Sequence, residues 1–154
     1  MKELLRKLAE AFGPSGAEKE IRDIISSEVA KYCDDFRVDS LGNLICVKRP
    51  SKPTSKTKKV MISAHMDEIG FAAMHIDEKG FIRFSNIGGH RPHTLVGQKV
   101  VFENGTIGYL GLEKLDNPAE LNFSKMYIDI GAKNKEEALK KVKVGDICGY
   151  VSYF

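Results

Sequence analysis

The order of apolar and polar positions divides the chain into a helical beginning and a strand-rich remainder. Leu4, Leu5, Leu8 and Ala11 recur at helical spacing, and Gly13-Pro14 ends the run, which predicts a helix over Met1–Ala11. Ile21, Ile24, Ile25, Val29 and Tyr32 form a second stripe and predict a helix from about Gly16 to Tyr32. Ser15 and Glu18, three residues apart at its start, have the form of a capping box. Phe36–Val38 and Asn43–Val47 are short β-type runs around Ser40-Leu41-Gly42-Asn43, a hairpin pattern. Val60–His65 is almost continuously apolar and ends on a polar residue, as a buried strand of an α/β sheet does.

From Ile69 onward the elements shorten. Phe71–Ile76, Gly80–Asn86, Gln98–Glu103 and Thr106–Leu112 read as strands. Turn residues separate them: Asp77-Glu78-Lys79-Gly80, Gly88-Gly89 and Glu103-Asn104-Gly105, whose Asn-Gly pair favours a tight hairpin. Met126–Ile130 adds a strand, Asn134–Lys141 a short helix capped by Asn134, and Ile147–Tyr153 a closing strand. This spacing indicates a small all-β unit.

Composition narrows the function classes. The 154 residues carry a net charge of +3, too mild a balance for a dedicated nucleic-acid binder. Lys48–Lys59 concentrates six basic residues with two prolines and no aromatic residue, so it reads as a solvated loop without a stacking platform for bases. No apolar run reaches the length of a membrane span. Charges at Glu3, Lys7 and Glu10 interrupt the first helix, which argues against a signal peptide. Cys33, Cys46 and Cys148 form no Cys-x-x-Cys pair and read as reduced thiols of a cytoplasmic protein, with Cys33 and Cys46 expected in the core. Trp is absent and no pair of catalytic carboxylates is evident, so a sugar cleft is not indicated.

The sharpest chemical signal is Ala64-His65-Met66-Asp67-Glu68-Ile69-Gly70, directly after the expected buried strand. Ligands of α/β folds bind beyond the carboxyl ends of such strands. His65 and Asp67, two apart, share one side of an extended segment. Imidazole ligates zinc or cobalt well, and a neighbouring carboxylate orients it. The same pair also fits a polar strand end without metal. His75, His90 and His93 read as surface or loop residues of the β unit, since His90-x-x-His93 has no further donors near it in sequence.

Several stretches, in order, resemble the tetrahedral, glutamyl-aminopeptidase-like family of dinuclear metallopeptidases. Val60–Phe71 (V-M-I-S-A-H-M-D-E-I-G-F) resembles its first metal-site motif. Phe12-Gly13-Pro14-Ser15-Gly16 with Glu18 is similar to its opening G-P-S-G-x-E, and Asp39–Leu44 to its D-x-x-G-N-L. His75–Gly80 with Ile87-Gly88-Gly89, Leu95–Gln98, Ile128–Ala132 and Val144-Gly145-Asp146 continue the likeness through an inserted β domain.

The resemblance implies a fold and a chemistry. Residues 1–68 should form the N-terminal part of an α/β catalytic domain, with two helices, a hairpin and an inner strand. Residues 69–154 should form an inserted PDZ-like small β barrel, used in the family for oligomerisation, with a return strand. His65 corresponds to a ligand of one of two divalent ions, zinc or cobalt, and Asp67 to the catalytic carboxylate acting through that histidine. The bridging aspartate, the glutamate base and the other ligands lie further along in relatives, which are over twice as long. Glu68 sits beside the motif but does not match the family's base. The expected function is therefore metal-dependent release of N-terminal residues from peptides, with this chain as an N-terminal fragment, inactive alone and holding at most one ion weakly. The alternative is a catalytically dead assembly subunit that docks on full-length relatives, or on copies of itself, through the β domain.

Overall fold

The strand-rich part closes on itself. In the computed structural model, which describes residues 1–154, six strands form a barrel: β3 (Gly70–Ile76), β4 (Ile82–Ile87), β5 (Lys99–Phe102), β6 (Ile107–Leu112), β7 (Met126–Asp129) and β8 (Ile147–Tyr150). Their order around the barrel is β3-β4-β7-β6-β5-β8, and every pairing is antiparallel. Closure leaves this sheet without a free edge. Alternation points Phe71 and Ala73 inward, and a register shift between Ala73 and His75 then brings in Ile76 and leaves His75 outside. Phe71, Ile82, Val100, Phe102, Leu110, Met126, Ile128 and Cys148 are essentially sealed from solvent and form the centre of one apolar core. The short helix α3 (Lys135–Leu139) adds Ala138 to that core, and the Asn134 side chain caps it by accepting the Glu137 N–H.

The first part is more open. Helices α1 (Lys2–Glu10) and α2 (Lys19–Val29) precede a two-stranded hairpin, β1 (Asp35–Val38) with β2 (Leu44–Val47). Of the two helices, only α2 buries a residue, Ile21. Asp39 closes the hairpin turn by accepting the N–H groups of Leu41 and Asn43. The chain is thus a mixed α/β protein: helices, a hairpin and a closed six-stranded barrel.

Three expectations need correction. Helix α2 begins at Lys19, and Ser15 does not cap it; its hydroxyl is bonded to Asp67 instead. Val60–His65 forms no strand, and Val60, Met61 and Ile62 are 82%, 90% and 93% exposed. An extended segment becomes a strand only beside another backbone that completes its hydrogen bonds, and none of the paired strands runs alongside this one. Cys33 is half-buried and Cys46 exposed: helix α2 packs on β2 but covers the hairpin only in part, leaving the Cys46 end of that strand open.

A tight junction joins the two parts. A Cβ on Gly70 would lie 2.6 Å from the Cys148 carbonyl oxygen and 2.9 Å from Pro14 Cβ. One on Gly149 would lie 2.9 Å from Pro14 Cγ. Glycine at both positions lets the buried Pro14 sit directly on the barrel backbone. Pro14 also bridges in parallel to Glu68. Residues 65–69 are therefore anchored between the N-terminal loop and the first barrel strand.

Candidate functional site

The junction sets the geometry of the His65–Asp67 segment. The Glu68 N–H donates to the Gly13 carbonyl at 2.9 Å, and the Ser15 N–H donates to the Glu68 carbonyl at 3.1 Å. Ser15 Oγ donates to Asp67 Oδ2 at 2.5 Å. His65 Nδ1 lies 2.9 Å from the Asp67 carbonyl oxygen and 3.3 Å from Asp67 Oδ1. These contacts border an open cleft of about 120 Å³, with Glu18 and Asn43 among its other walls.

Two carboxyls of this segment are biased by their surroundings. The Ser15 hydroxyl, above all, holds the Asp67 carboxyl below its ordinary pKa, and His65 acts in the same direction. Burial pushes the Glu68 carboxyl up. Glu68 does not line the cleft; its Oε1 faces Gly149 on the barrel.

The sequence matches over the same region. Residues 42–154 match the family described as M42 glutamyl aminopeptidase. The chain belongs to that family. An inferred aminopeptidase of Acetivibrio thermocellus is 48% identical over 152 residues, covering 98% of this chain and 44% of its own length. The crystal structure of a TET aminopeptidase from the marine sediment archaeon Thaumarchaeota archaeon SCGC AB-539-E09 superposes with a TM-score of 0.89 at 33% identity, covering 99% of this chain and 45% of that one. The TET1 peptidase of Pyrococcus horikoshii, which can assemble into a tetrahedron or a large octahedral shell, gives 0.80 at 34% identity, covering 97% and 46%. The chain spans less than half the length of these relatives.

His65 is the one histidine lining the cleft. His65 Nδ1 faces two oxygen acceptors, so its proton sits there in the neutral ring and Nε2 keeps a lone pair on the exposed side. That arrangement fits one imidazole ligand of a metal ion. No group of three or more His, Cys, Asp or Glu side chains comes together anywhere in the chain, this cleft included, to hold an ion.

The remaining histidines are accounted for separately. His90 is a half-buried strut: Nε2 donates toward the Gly70 and Ile87 carbonyls at 3.0 Å each, and Nδ1 lies 2.8 Å from the Tyr150 hydroxyl. Its ring stacks on Phe71 with centroids 4.4 Å apart. Both nitrogens are engaged, so the His90-x-x-His93 spacing does not assemble a ligand pair here. His93 lies in a short 3-10 turn and His75 on the outside of β3. Sequence reasoning assigned Ser15 to a helix cap and missed its place in the site; its position inside the G-P-S-G-x-E stretch was the available signal.

Proposed function

We propose that this chain contributes part of the active centre of a metal-dependent aminopeptidase that removes N-terminal residues from peptides. His65 would hold one of two divalent ions, zinc or cobalt, its Nε2 being the ring nitrogen that Asp67 leaves free. Asp67, the catalytic carboxylate of the motif, acts through that histidine and the metal site by keeping the ring in place. When bound, such ions polarise a scissile carbonyl and acidify water. The observation that supports this reading is the hydrogen-bonded line Ser15–Asp67–His65 at an open cleft in an M42 chain. One imidazole and one engaged carboxylate bind an ion weakly, because closed sites use three or four ligands. By itself the chain accordingly holds at most one ion and turns over no substrate. Residues 1–68 belong to the catalytic part and 69–154 to an assembly domain.

Cobalt titration followed by histidine-ring NMR tests the assignment. Paramagnetic broadening should reach His65 first and disappear in His65→Ala, while His75, His90 and His93 persist. Broadening centred on His90 and His93 would move the site to the barrel. Aminoacyl-p-nitroanilide hydrolysis by this chain with cobalt should not exceed a metal-only control. Turnover that scales with protein and is lost in His65→Ala would show a complete centre.

A second reading, as an assembly subunit, is favoured by the uncovered apolar edge at Val60–Ile62. Apolar patches and open backbone of this kind are commonly covered by another chain. Light scattering should find a dimer or larger species, with the barrel in the contact. A clean monomer, unchanged on mixing with a full-length relative, would remove this reading. No helix is long and apolar enough to cross a membrane. With three free thiols and a charge of only +3, we place the protein in the cytoplasm, without a nucleic-acid partner.

A further inference from the structure

The Ser15 hydroxyl is free of its expected duty. Helix α2 starts four residues later, and no side chain caps it. The loop that carries Ser15 is nonetheless held on several sides. Pro14 is buried against Gly70 and Gly149, the Ala17 N–H donates to the Pro14 carbonyl at 2.8 Å, and the Ser15 N–H donates to Glu68. Main-chain bonds alone already fasten residues 13–15 to residue 68, so the hydroxyl is not needed for that. It is a donor on a fixed backbone, aimed at Asp67 Oδ2.

Asp67 needs such an anchor more than most carboxylates. Its side chain is 40% exposed and that of His65 86% exposed, so packing covers the carboxylate only in part and leaves the ring open. The only polar contacts of the His65 ring are on Nδ1, and both come from Asp67: its carbonyl and Oδ1. With Oδ2 held by Ser15, Oδ1 is left facing the ring. With Oδ2 released, the carboxylate can rotate into solvent and Nδ1 loses one of its two acceptors. The tautomer of a ligating histidine is set by the hydrogen bond at its other nitrogen.

We propose that Ser15 is a positioning residue which, by anchoring the Asp67 carboxylate, keeps His65 in the Nδ1–H tautomer with its Nε2 lone pair presented to the cleft. This rests on the reading of His65 as a metal ligand. Ser15 touches neither ion nor substrate; it acts through Asp67.

The test compares side chains of similar shape with and without the donor, and it has one arm that needs no metal. In the metal-free protein, long-range ¹H–¹⁵N spectra of the histidine rings should show His65 mainly as Nδ1–H. Ser15→Ala and Ser15→Val should shift it toward a mixture with Nε2–H, and Ser15→Thr should keep it. Asp67→Ala, which leaves the Ser15 loop untouched, should give the same shift as Ser15→Ala and stands in if a Ser15 variant fails to fold. Amide spectra of the barrel should not change. In the second arm, cobalt alone is titrated against the His65 signals. Its affinity should fall about tenfold in Ser15→Ala and Ser15→Val, the range seen when an outer-shell partner is lost, and stay near wild type in Ser15→Thr. An unchanged tautomer in Ser15→Ala and Asp67→Ala would overturn the proposal, as would undiminished cobalt affinity in Ser15→Ala. Failure of the wild type to respond to cobalt at His65 would instead remove the metal-ligand reading, while the tautomer comparison would still decide the role of Ser15.

Discussion

Phe71→Ala should cost the barrel about 3–5 kcal/mol, the usual range for emptying a buried phenylalanine site. Phe71 is fully buried at the start of β3, between β4 and β8. Its ring stacks on His90 at 4.4 Å and meets Phe84 and Tyr150 edge-on at 5.0 and 5.6 Å. Aromatic contacts of this kind are worth about 0.5–1.5 kcal/mol each beyond area burial. The strand is paired on both sides, so its backbone cannot sink into the hole, and the loss should fall in the upper part of the range. Domains are commonly stable by about 5–15 kcal/mol, so this is a large share of the total. Urea unfolding reads it. With a slope of about 1–3 kcal/mol per molar, the midpoint should drop by roughly 2 M. Trp is absent, so tyrosine fluorescence follows the transition, with Tyr150, in contact with Phe71, among the five tyrosines that contribute. Phe71→Leu keeps most of the volume and should cost under about 1.5 kcal/mol. An alanine variant that loses less than about 1 kcal/mol would refute the placement of this ring at the centre of the core.

Two further outcomes follow from burial. Burial pushes the Cys148 thiol up to about 12, so it stays protonated and shielded near pH 8. Ellman's reagent should titrate Cys46 and Cys33 in the native protein and Cys148 only after urea is added; three equivalent thiols in the native state would contradict the barrel packing. Glu68 has its carboxyl raised above the ordinary value of 4.5 by burial, so the folded state takes up the proton more readily than the unfolded one. That contribution to stability is fully present below 4.5 and is lost as pH rises through the raised value. Glu68→Gln should therefore gain stability over wild type as pH rises to 7, and the difference should shrink below 4.5. A difference independent of pH would show that Glu68 is ordinarily solvated.

Much of the fold was legible because its signals are local. Asp77–Gly80 and Asn104-Gly105 mark turns by their own backbone preferences, and Gly80 and Gly105 do take positive φ. Asn134 caps α3 as its position suggested, since acceptor and donor are three residues apart. The strands between these turns follow from alternation, except at the β3 bulge, where His75 and Ile76 change places relative to a strict two-residue period. His65 and Asp67 stood out through the motif around them, V-M-I-S-A-H-M-D-E-I-G-F, since the two-residue spacing by itself also fits a polar strand end without metal.

Other features depend on what the chain meets in space. An apolar run such as Val60–Ile62 carries the composition of a strand, but pairing needs a second backbone, and here it remains exposed. Cys33 and Cys46 occupy apolar positions, yet α2 covers this part of the chain only in part, so Cys33 is half-buried and Cys46 exposed. His90 looked like a loop residue until the barrel closed and brought Tyr150, sixty positions away, against its ring nitrogen. Ser15 is the plainest instance. Its hydroxyl could bond either to the start of a helix three residues on or to a carboxylate fifty-two residues away, and both uses are compatible with the sequence around it. Local preference determined the turns, the caps and the alternation. Only the seating of Pro14 on two glycines of the barrel brought Ser15 to Asp67, because the energy of a long-range hydrogen bond does not exist until tertiary packing has closed the loop between its partners.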